Sequence, residues 1–578
     1  MPNSAADVSE LIATRDGSIE ASASGVVPGL GRGRPVISDA EGLLRKLSRN
    51  LSFTDGQLAL VVSAVLFVFA AWPLALTEVP PYQDLPNHLA ALTVIENPGK
   101  YPEFVFNGFF KTNAALFAWL YVVGKLVGVT LAAKLFALLV LAGNALAIPR
   151  FVLAMTQSRK KMIVSAFFAW PLVHNWFVSM GMLDFALGLP LSLALLMALE
   201  KQRKAPSLAR AAAVAGLGMV TWYAHVFPLL VVHLLVGIHI LVQRGWRARA
   251  DEARKLGLPL LPVTALVVLS TYLHLRDGVG PMTAFVHQTR NLPSWELVYN
   301  LWAEYFWGFT KLSMSTLVPC VLLGVFGFWS FWQRKASPAF FSGAALVALT
   351  LLYCFTPYKV TNWYHVNSRL IPFIFFCLLL RVPERLPKQL YAVLGISALL
   401  YTGAMGADFI RLEKDRQRFV AGLSAVPEGA RLLPLLFKAK STSDNTCSLL
   451  HAWGFYVVEK HTAAPLLFAH SKSFPVMYSS PPPIRFNHLV LENFASDMAH
   501  PSQICDALAP VIPDDCVVEY QKRWAEFWRD ATPLYDHVLM WEATPEAIAQ
   551  VPPEYKQVFH QNELTIFARQ TEVPTAAR

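Results

Sequence analysis

Long runs of apolar residues, separated by short polar or basic segments, dominate the chain from about residue 58 to residue 407. A helix needs about 20 mainly apolar residues to cross a bilayer. The pattern predicts eleven crossings, some of them short, at 58–77, 130–149, 162–179, 183–199, 208–226, 227–242, 257–274, 314–332, 338–356, 369–381 and 388–407. The chain is therefore predicted to be a polytopic α-helical membrane protein.

Lys and Arg cluster in short segments between alternate apolar runs, for example at 149–161 and 243–255. Such clusters are typical of cytoplasmic loops. With a cytoplasmic N-terminus and eleven crossings, every basic loop faces the cytoplasm, and the C-terminal region lies outside. The same count makes the stretches 116–127 and 297–311 re-entrant or interfacial. We expect a bacterial inner-membrane protein.

Three regions follow from this threading. Residues 1–50 are rich in Ser, Ala, Gly and Arg and are predicted to be a disordered cytoplasmic segment. Residues 51–410 form the membrane domain, in which 78–115 is the first outer loop. Residues 411–578 are more polar and of normal domain size, so they predict a periplasmic α/β domain.

Short patterns support the α/β assignment of the C-terminal region. Stretches 449–461 and 515–531 have helical character, whereas 535–542 and 563–569 read as strands. No internal repeat is seen in the sequence.

Composition agrees with a membrane protein. The chain of 578 residues is 54% hydrophobic and only 15% charged, against about 25% charged residues in soluble proteins. The net charge of +10 does not indicate a nucleic-acid partner, because the basic residues form no stripe with interleaved aromatic residues.

The six cysteines indicate neither a zinc site nor a redox motif, since no C-x-x-C and no Cys/His ligand spacing occurs. In an oxidising periplasm Cys505 and Cys516 can pair. Unpaired packing cysteines fit the sequence equally well, and both alternatives stay open.

Polar and ionisable side chains, which are costly to place near a membrane, collect on the predicted outer face. Charged groups near bilayer depth cost roughly 2.5–3.5 kcal/mol each and by default suggest function. The outer residues concerned are Asp84, Asn87 and His88 in the first loop, Tyr223 and His225 in a later turn, and Lys359, His365 and Arg369 around the loop 356–369. Together they predict a polar cavity that opens outward and is roofed by the C-terminal domain.

Each candidate also has a structural interpretation. Asp84 in "DLPNH" can cap a short helix that has Pro in its first turn. His88 lies one turn later and can be a solvated surface imidazole. His225 can hydrogen-bond to backbone, and Arg369 can extend from its helix towards the interface.

The arrangement resembles the GT-C class of membrane glycosyltransferases. The residues that carry the resemblance are Asp84 in "YQDLPNHLA" directly after the first crossing, and Lys359 and Arg369 in "PYKVTNWYHVNSRL". The resemblance covers the membrane part, about 55–410, and implies a polyprenyl-phosphate sugar donor. Many members carry an acid pair in the first outer loop, whereas this chain has one Asp followed by His. The base and any divalent metal are therefore left open.

Under this resemblance the candidate residues have expected roles. Asp84 activates the acceptor hydroxyl of a glycan, lipid or protein, and His88 assists it. Arg369 and Lys359 hold the donor phosphate, while Asn87, Tyr223, His225 and His365 contact substrate. No certain cofactor is expected. Two alternatives remain: a transporter or flippase for a lipid-linked saccharide, and a non-catalytic assembly or binding protein.

Overall fold

The structure is a computed structural model, and it describes residues 53–276, 289–333, 338–360, 363–470, 472–480, 482–486, 488–508 and 516–570. The segment 1–50, which was predicted to be disordered, lies outside these ranges.

Every predicted crossing overlaps a helix. These helices are Asp55–Ala71, Val129–Thr156, Arg159–Val173, Leu183–Lys204, Leu208–Ala224, Val226–Leu241, Leu258–Arg276, Leu317–Trp332, Gly343–Phe355, Ile371–Leu379 and Lys388–Val420. Within the described residues, seven helical stretches are long and apolar enough to cross a membrane. A multi-pass helical membrane fold is thus confirmed. The count of eleven is not, because four of the predicted crossings lie on apolar helices of 10–17 residues.

The surface of these helices is apolar. Val65, Val268 and Leu399, each in a different helix, have more than half of their surface exposed. Helices satisfy their own backbone hydrogen bonds, which is what a spanning segment requires in a solvent that offers none. The exposed aliphatic side chains therefore suit contact with lipid.

Several shorter helices lie between the crossings or beside them. The described ones are Leu85–Glu96, Ala115–Val127, Trp176–Ser179, Trp246–Glu252 and Ser294–Ala303. The predicted re-entrant or interfacial stretches 116–127 and 297–311 correspond to the second and the last of these. Their position in a bilayer stays a prediction.

Eight short strands are described: β1 (Phe104–Phe106), β2 (Thr289–Arg290), β3 (Lys359–Val360), β4 (Leu432–Leu436), β5 (Val476–Tyr478), β6 (His537–Trp541), β7 (Tyr555–Gln561) and β8 (Leu564–Arg569). The C-terminal sheet has the order β4-β6-β8-β7. In it β4 pairs parallel with β6, and the other neighbours are antiparallel. The predicted strands 535–542 and 563–569 are β6 and β8.

Helices complete the C-terminal domain, at Gly454–Lys460, His488–Asp497, Pro501–Leu508, Cys516–Ala531 and Pro545–Ile548. The predicted α/β character is confirmed. A disulfide joins Cys505 to Cys516, which decides the question that the sequence left open. The predicted boundary at 410/411 falls inside the helix Lys388–Val420, which runs on from the membrane part.

A strand from the first predicted outer loop pairs with the C-terminal domain. β1 is antiparallel to β5, with Phe104 opposite Tyr478. The Asn107 side chain donates to the backbone carbonyls of Lys472 and Phe474, at 2.8 and 3.1 Å. Strand pairing and side-chain hydrogen bonds therefore join this loop to the C-terminal domain.

Candidate functional site

Asp84 stands immediately before the helix Leu85–Glu96, which has Pro86 in its first turn. Its side chain makes no capping hydrogen bond to that helix, so the capping interpretation of this residue is not observed. Its backbone N–H instead donates to the carbonyl oxygen of Met180 at 3.0 Å. The carboxylate is consequently available to groups outside its own helix.

The C-terminal domain supplies the partner of this carboxylate. His451 Nε2 lies 3.4 Å from Asp84 Oδ1, and His451 Nδ1 lies 3.6 Å from Glu492 Oε1. A buried imidazole thus stands between two carboxylates. The sequence analysis missed His451 and Glu492, because no local pattern connects either of them to residue 84.

Charge and burial act in opposite directions on these groups. Burial disfavours the charged imidazole of His451, but the hydrogen bond to Asp84 and the charge of Glu492 outweigh it, so the pKa of His451 is raised. Burial also raises the pKa of Glu492, although the neighbouring His451 opposes this. The two neighbouring acids therefore favour the charged form of the His451 imidazole.

His88 lies one helical turn beyond Asp84, and its backbone N–H donates to the Asp84 carbonyl at 3.2 Å. Asp84 and His88 are the two residues between 82 and 94 that are only partly buried. They therefore lie on one partly open face of this segment. The His88 ring packs edge-on to Phe117, with centroids 5.2 Å apart. Burial lowers the pKa of His88 to about 4, with Asp84 opposing the shift. His88 is therefore a neutral imidazole at pH 7.

Asn87 points away from this face and is fully buried. Its amide nitrogen donates to the Leu466 carbonyl at 2.9 Å, and its amide oxygen accepts from the Phe468 N–H at 3.1 Å. This contact with the C-terminal domain accounts for Asn87 without a ligand. Close approach at the same place depends on Gly454, where an added Cβ would lie 2.3 Å from the Pro86 carbonyl oxygen.

Arg369 forms a second centre. The guanidinium is 5.8 Å from the Phe185 ring and 5.6 Å from the Trp363 ring. The side chain is buried, and its Nε has no hydrogen-bond partner in the described structure. Unpaired buried donors are costly, so a guanidinium in this state is suited to an anionic ligand.

His225 lies against Arg369 but does not satisfy it. His225 Nδ1 accepts from the Phe227 N–H at 3.1 Å and caps the helix Val226–Leu241. In the neutral ring Nε2 then carries the proton, so it cannot accept from Arg369 Nη1, 3.5 Å away. The structural interpretation of His225 is therefore observed, and the guanidinium keeps free donors.

Three predicted substrate-binding residues remain, and each of them has a neighbour in the structure. His365 Nδ1 is 3.1 Å from Glu304 Oε1, an acid that the sequence analysis did not identify. Lys359 lies in β3, with its Nζ 4.6 Å from the centre of the Tyr364 ring. Tyr223 is the last residue but one of the helix Leu208–Ala224, and its carbonyl accepts from the Ala114 N–H at 3.5 Å.

The two centres flank one short segment, 180–185. Met180 receives the hydrogen bond from Asp84, and Phe185 carries the ring beside Arg369. Between them, Asp184 Oδ1 accepts from the Leu116 N–H at 2.8 Å and ties down the helix Ala115–Val127. Asp84 and Arg369 therefore lie at the same end of the helix bundle, as the predicted cavity requires. Across the described ranges, no group of three or more His, Cys, Asp or Glu side chains is arranged to hold a metal ion.

Comparison with known proteins gives a fold likeness only. No protein-family model matches the sequence, and no curated protein does. ArnT from Cupriavidus metallidurans bound to undecaprenyl phosphate is similar, with a TM-score of 0.50 and 13% identity over 89% of this chain and 98% of that one. For the apo state of ArnT the TM-score is 0.48 and the identity 12%, over 88% of this chain and 97% of that one.

A third solved structure, arabinofuranosyltransferase AftD from Mycobacteria, has a TM-score of 0.47 and 13% identity, over 90% of this chain and 42% of that one. At such identities likeness concerns architecture and not residue roles. On the match to ArnT with its lipid, this chain has a fold similar to that of ArnT.

Proposed function

We propose that the protein is a membrane glycosyltransferase. It moves a sugar from a polyprenyl-phosphate donor to an acceptor hydroxyl of a glycan, lipid or protein on the outer face of the bacterial inner membrane. One observation carries the proposal: a partly exposed carboxylate, Asp84, and a buried guanidinium with free donors, Arg369, flank the segment 180–185 in a chain with the ArnT fold.

The residue types suit each part of the reaction. Asp84 takes the proton of the acceptor hydroxyl while the hydroxyl oxygen bonds to the anomeric carbon of the sugar. The bond from that carbon to the phosphate oxygen breaks, and negative charge grows on the departing phosphate. Arg369 can donate two parallel hydrogen bonds to phosphate oxygens, which is the geometry that guanidinium offers and ammonium does not.

Two further features support an outer orientation of the C-terminal domain. The disulfide Cys505–Cys516 suits an oxidising compartment such as the periplasm. The basic loops suit a cytoplasmic N-terminus under the positive-inside rule. Both features support an outer orientation of the face that carries Asp84.

The test is sugar transfer in liposomes that contain the purified protein. A panel of radiolabelled undecaprenyl-phosphate sugars is offered together with an envelope extract as the source of acceptors. We expect wild-type protein to transfer label into a product, and Asp84→Asn, which keeps the shape but removes the base, to lose at least about 100-fold in rate. Binding of undecaprenyl phosphate, measured in parallel, should be unchanged in this variant.

Wild-type rates in Asp84→Asn would refute the assignment of the base. Label that crosses the liposome bilayer without a new bond would favour the transporter interpretation. Tight binding of an envelope component with neither transfer nor transport would favour the non-catalytic one.

A further inference from the structure

His451 is the basic group that pairs with Asp84 in the described part of the chain, and it comes from the C-terminal domain. Its side chain is 2% exposed, against 18% for that of Asp84. The ring is fixed from a second side, because its centroid is 4.8 Å from the Phe468 ring at an edge-on angle. The ring lies with Nε2 towards Asp84 and Nδ1 towards Glu492, to which Nδ1 makes no hydrogen bond.

The segment that carries His451 is anchored to the membrane part. The Asn445 side chain donates to the Ala303 carbonyl at 3.0 Å, and the Cys447 N–H donates to Gln83 Oε1 at 2.7 Å. Gln83 Nε2 in turn lies 3.4 Å from Asp84 Oδ1. The C-terminal domain thus reaches Asp84 twice, directly through His451 and indirectly through Gln83.

Both of these contacts engage the same carboxylate oxygen. His451 and Gln83 each approach Oδ1, which leaves Oδ2 as the oxygen without these two donors. A carboxylate held by one oxygen has a fixed plane, and its second oxygen then has a fixed direction. Such pre-orientation is what a general base needs in order to meet the acceptor hydroxyl.

The titratable groups around His451 are few. Asp84 and His88 face it from the start of the helix Leu85–Glu96, and Glu492 and His488 from the helix His488–Asp497. Cys447, from its own segment, is the remaining group near this pair of acids. Burial lowers the pKa of His88 and His488, whereas the two acids on either side of His451 raise its pKa.

We propose that His451 is a positioning residue for Asp84, so that the C-terminal domain completes the site rather than only covering it. This inference rests on the proposed glycosyl transfer. In that step the acceptor proton passes to Asp84 Oδ2, the acceptor oxygen bonds to the anomeric carbon, and the phosphate leaves with the electrons of the broken bond. His451 moves no proton in this step; it holds Asp84 Oδ1, so that Oδ2 is aligned with the acceptor hydroxyl.

The experiment compares the pH dependence of transfer in three proteins. In wild type, activity should fall on the alkaline side as His451 loses its proton. In His451→Gln, kcat at neutral pH should fall by about 100-fold, the lower end of what general acid–base catalysis contributes. The KM for the lipid donor should stay within about twofold, and the alkaline fall that His451 causes should disappear.

The pH profile of Glu492→Gln would not change if His451 had only a structural role. Removing this carboxylate lowers the pKa of His451, so the alkaline fall should shift to lower pH. The control is His560→Gln, because His560 is exposed on β7 and its Nδ1 lies 3.0 Å from Thr565 Oγ1 on the neighbouring strand. It should match wild type in both rate and pH profile.

The outcomes separate the two proposals. An active wild-type protein whose His451→Gln variant keeps its kcat and alkaline fall would overturn the positioning role and leave glycosyl transfer standing. Absence of transfer by wild type would refute the proposed function. In that case the pairing is tested by thermal unfolding of Asp84→Asn, His451→Gln and the double variant, where additive effects would refute the contact itself.

Discussion

Gly181 and Asp84 approach each other so closely that a Cβ atom added at Gly181 would lie 2.8 Å from the Asp84 backbone nitrogen. Gly181 also has a φ of +84°, a region that side-chain-bearing residues rarely adopt. The turn before the helix Leu183–Lys204 can therefore pack directly against the residue that we propose as the base. This contact sets the distance between Asp84 and the segment 180–185, in which Phe185 lies beside Arg369.

Gly181→Ala should disturb this contact in two ways. The methyl group meets backbone atoms, and the positive φ costs an L-residue about 1–3 kcal/mol. We expect a lower melting temperature and a loss of transfer of at least about tenfold, since small misplacements of reacting groups are expensive. Gly395→Ala is the matched control, because no atom lies within 4 Å of a Cβ there. Equal behaviour of the two variants would contradict the proposed close packing.

Arg369 should govern binding of the donor phosphate. Arg369→Lys keeps a cation but loses the planar pair of donors, so the Kd for undecaprenyl phosphate should rise by about tenfold. Arg369→Gln should weaken binding further. The measurement is lipid binding in detergent, by native mass spectrometry or by competition with a labelled lipid.

The control for this prediction is Arg431→Gln in the C-terminal domain, where the guanidinium is half-exposed and pairs with Asp536. It should bind the lipid as wild type does. If Arg369→Gln binds undecaprenyl phosphate as tightly as wild type does, the donor phosphate does not bind at Arg369.

Asn87 should matter for stability and not for substrate affinity. Asn87→Leu removes two buried hydrogen bonds and leaves the Leu466 carbonyl and the Phe468 N–H without these partners. The expected loss is about 2–4 kcal/mol, together with faster proteolysis around residue 467. Asn97→Ala, which removes a part-buried bond to the Thr93 carbonyl at 2.9 Å, should cost less. A variant of Asn87 with full stability and weakened donor binding would restore the predicted substrate contact.

Acid should weaken the contact between the C-terminal domain and the helix Leu85–Glu96. Burial lowers the pKa of both His88 and His470 to about 4, and it holds that of His488 well below its usual value. The unfolded chain takes up these protons near pH 6.5, whereas the folded chain does not. The stability contributed by these groups is therefore present above pH 6.5 and is lost as the pH falls towards 4.

Thermal unfolding between pH 7 and pH 4.5 measures this effect. The His470→Phe, His488→Phe double variant should lose less stability with acid than wild type. The stacked pair, 4.3 Å apart, would be replaced by rings that cannot take up protons. His451 has the opposite sign, since its raised pKa contributes stability below pH 6.5 that is lost as the pH rises through the folded value. Parallel acid profiles for wild type and variant would contradict the assignment.

Helices and their order could be predicted from the sequence because helix formation is local. A helix can stand in lipid when its own stretch of sequence gives it an apolar surface. The residues of that stretch alone decide this. All eleven predicted crossings therefore overlap helices. Lengths were less predictable: Ile371–Leu379 is shorter than the run 369–381, and Lys388–Val420 continues well beyond residue 407. Helix ends depend on caps and packing partners, which an apolar run does not contain.

Only some of the residues of the site could be predicted from the sequence. Asp84, His88 and Arg369 stood out because charge is expensive near a membrane, and hydropathy made that visible. Nothing local indicated that Asn87, three residues from Asp84, belongs to a domain contact, or that His451 belongs beside Asp84. A side chain's partner is set by which distant surfaces pack together. The sequence by itself thus determined the helices, their apolar surfaces and two strands of the C-terminal sheet, β6 and β8. The convergence of the first outer loop, the segment 180–185 and the C-terminal domain around one carboxylate was decided by tertiary packing alone.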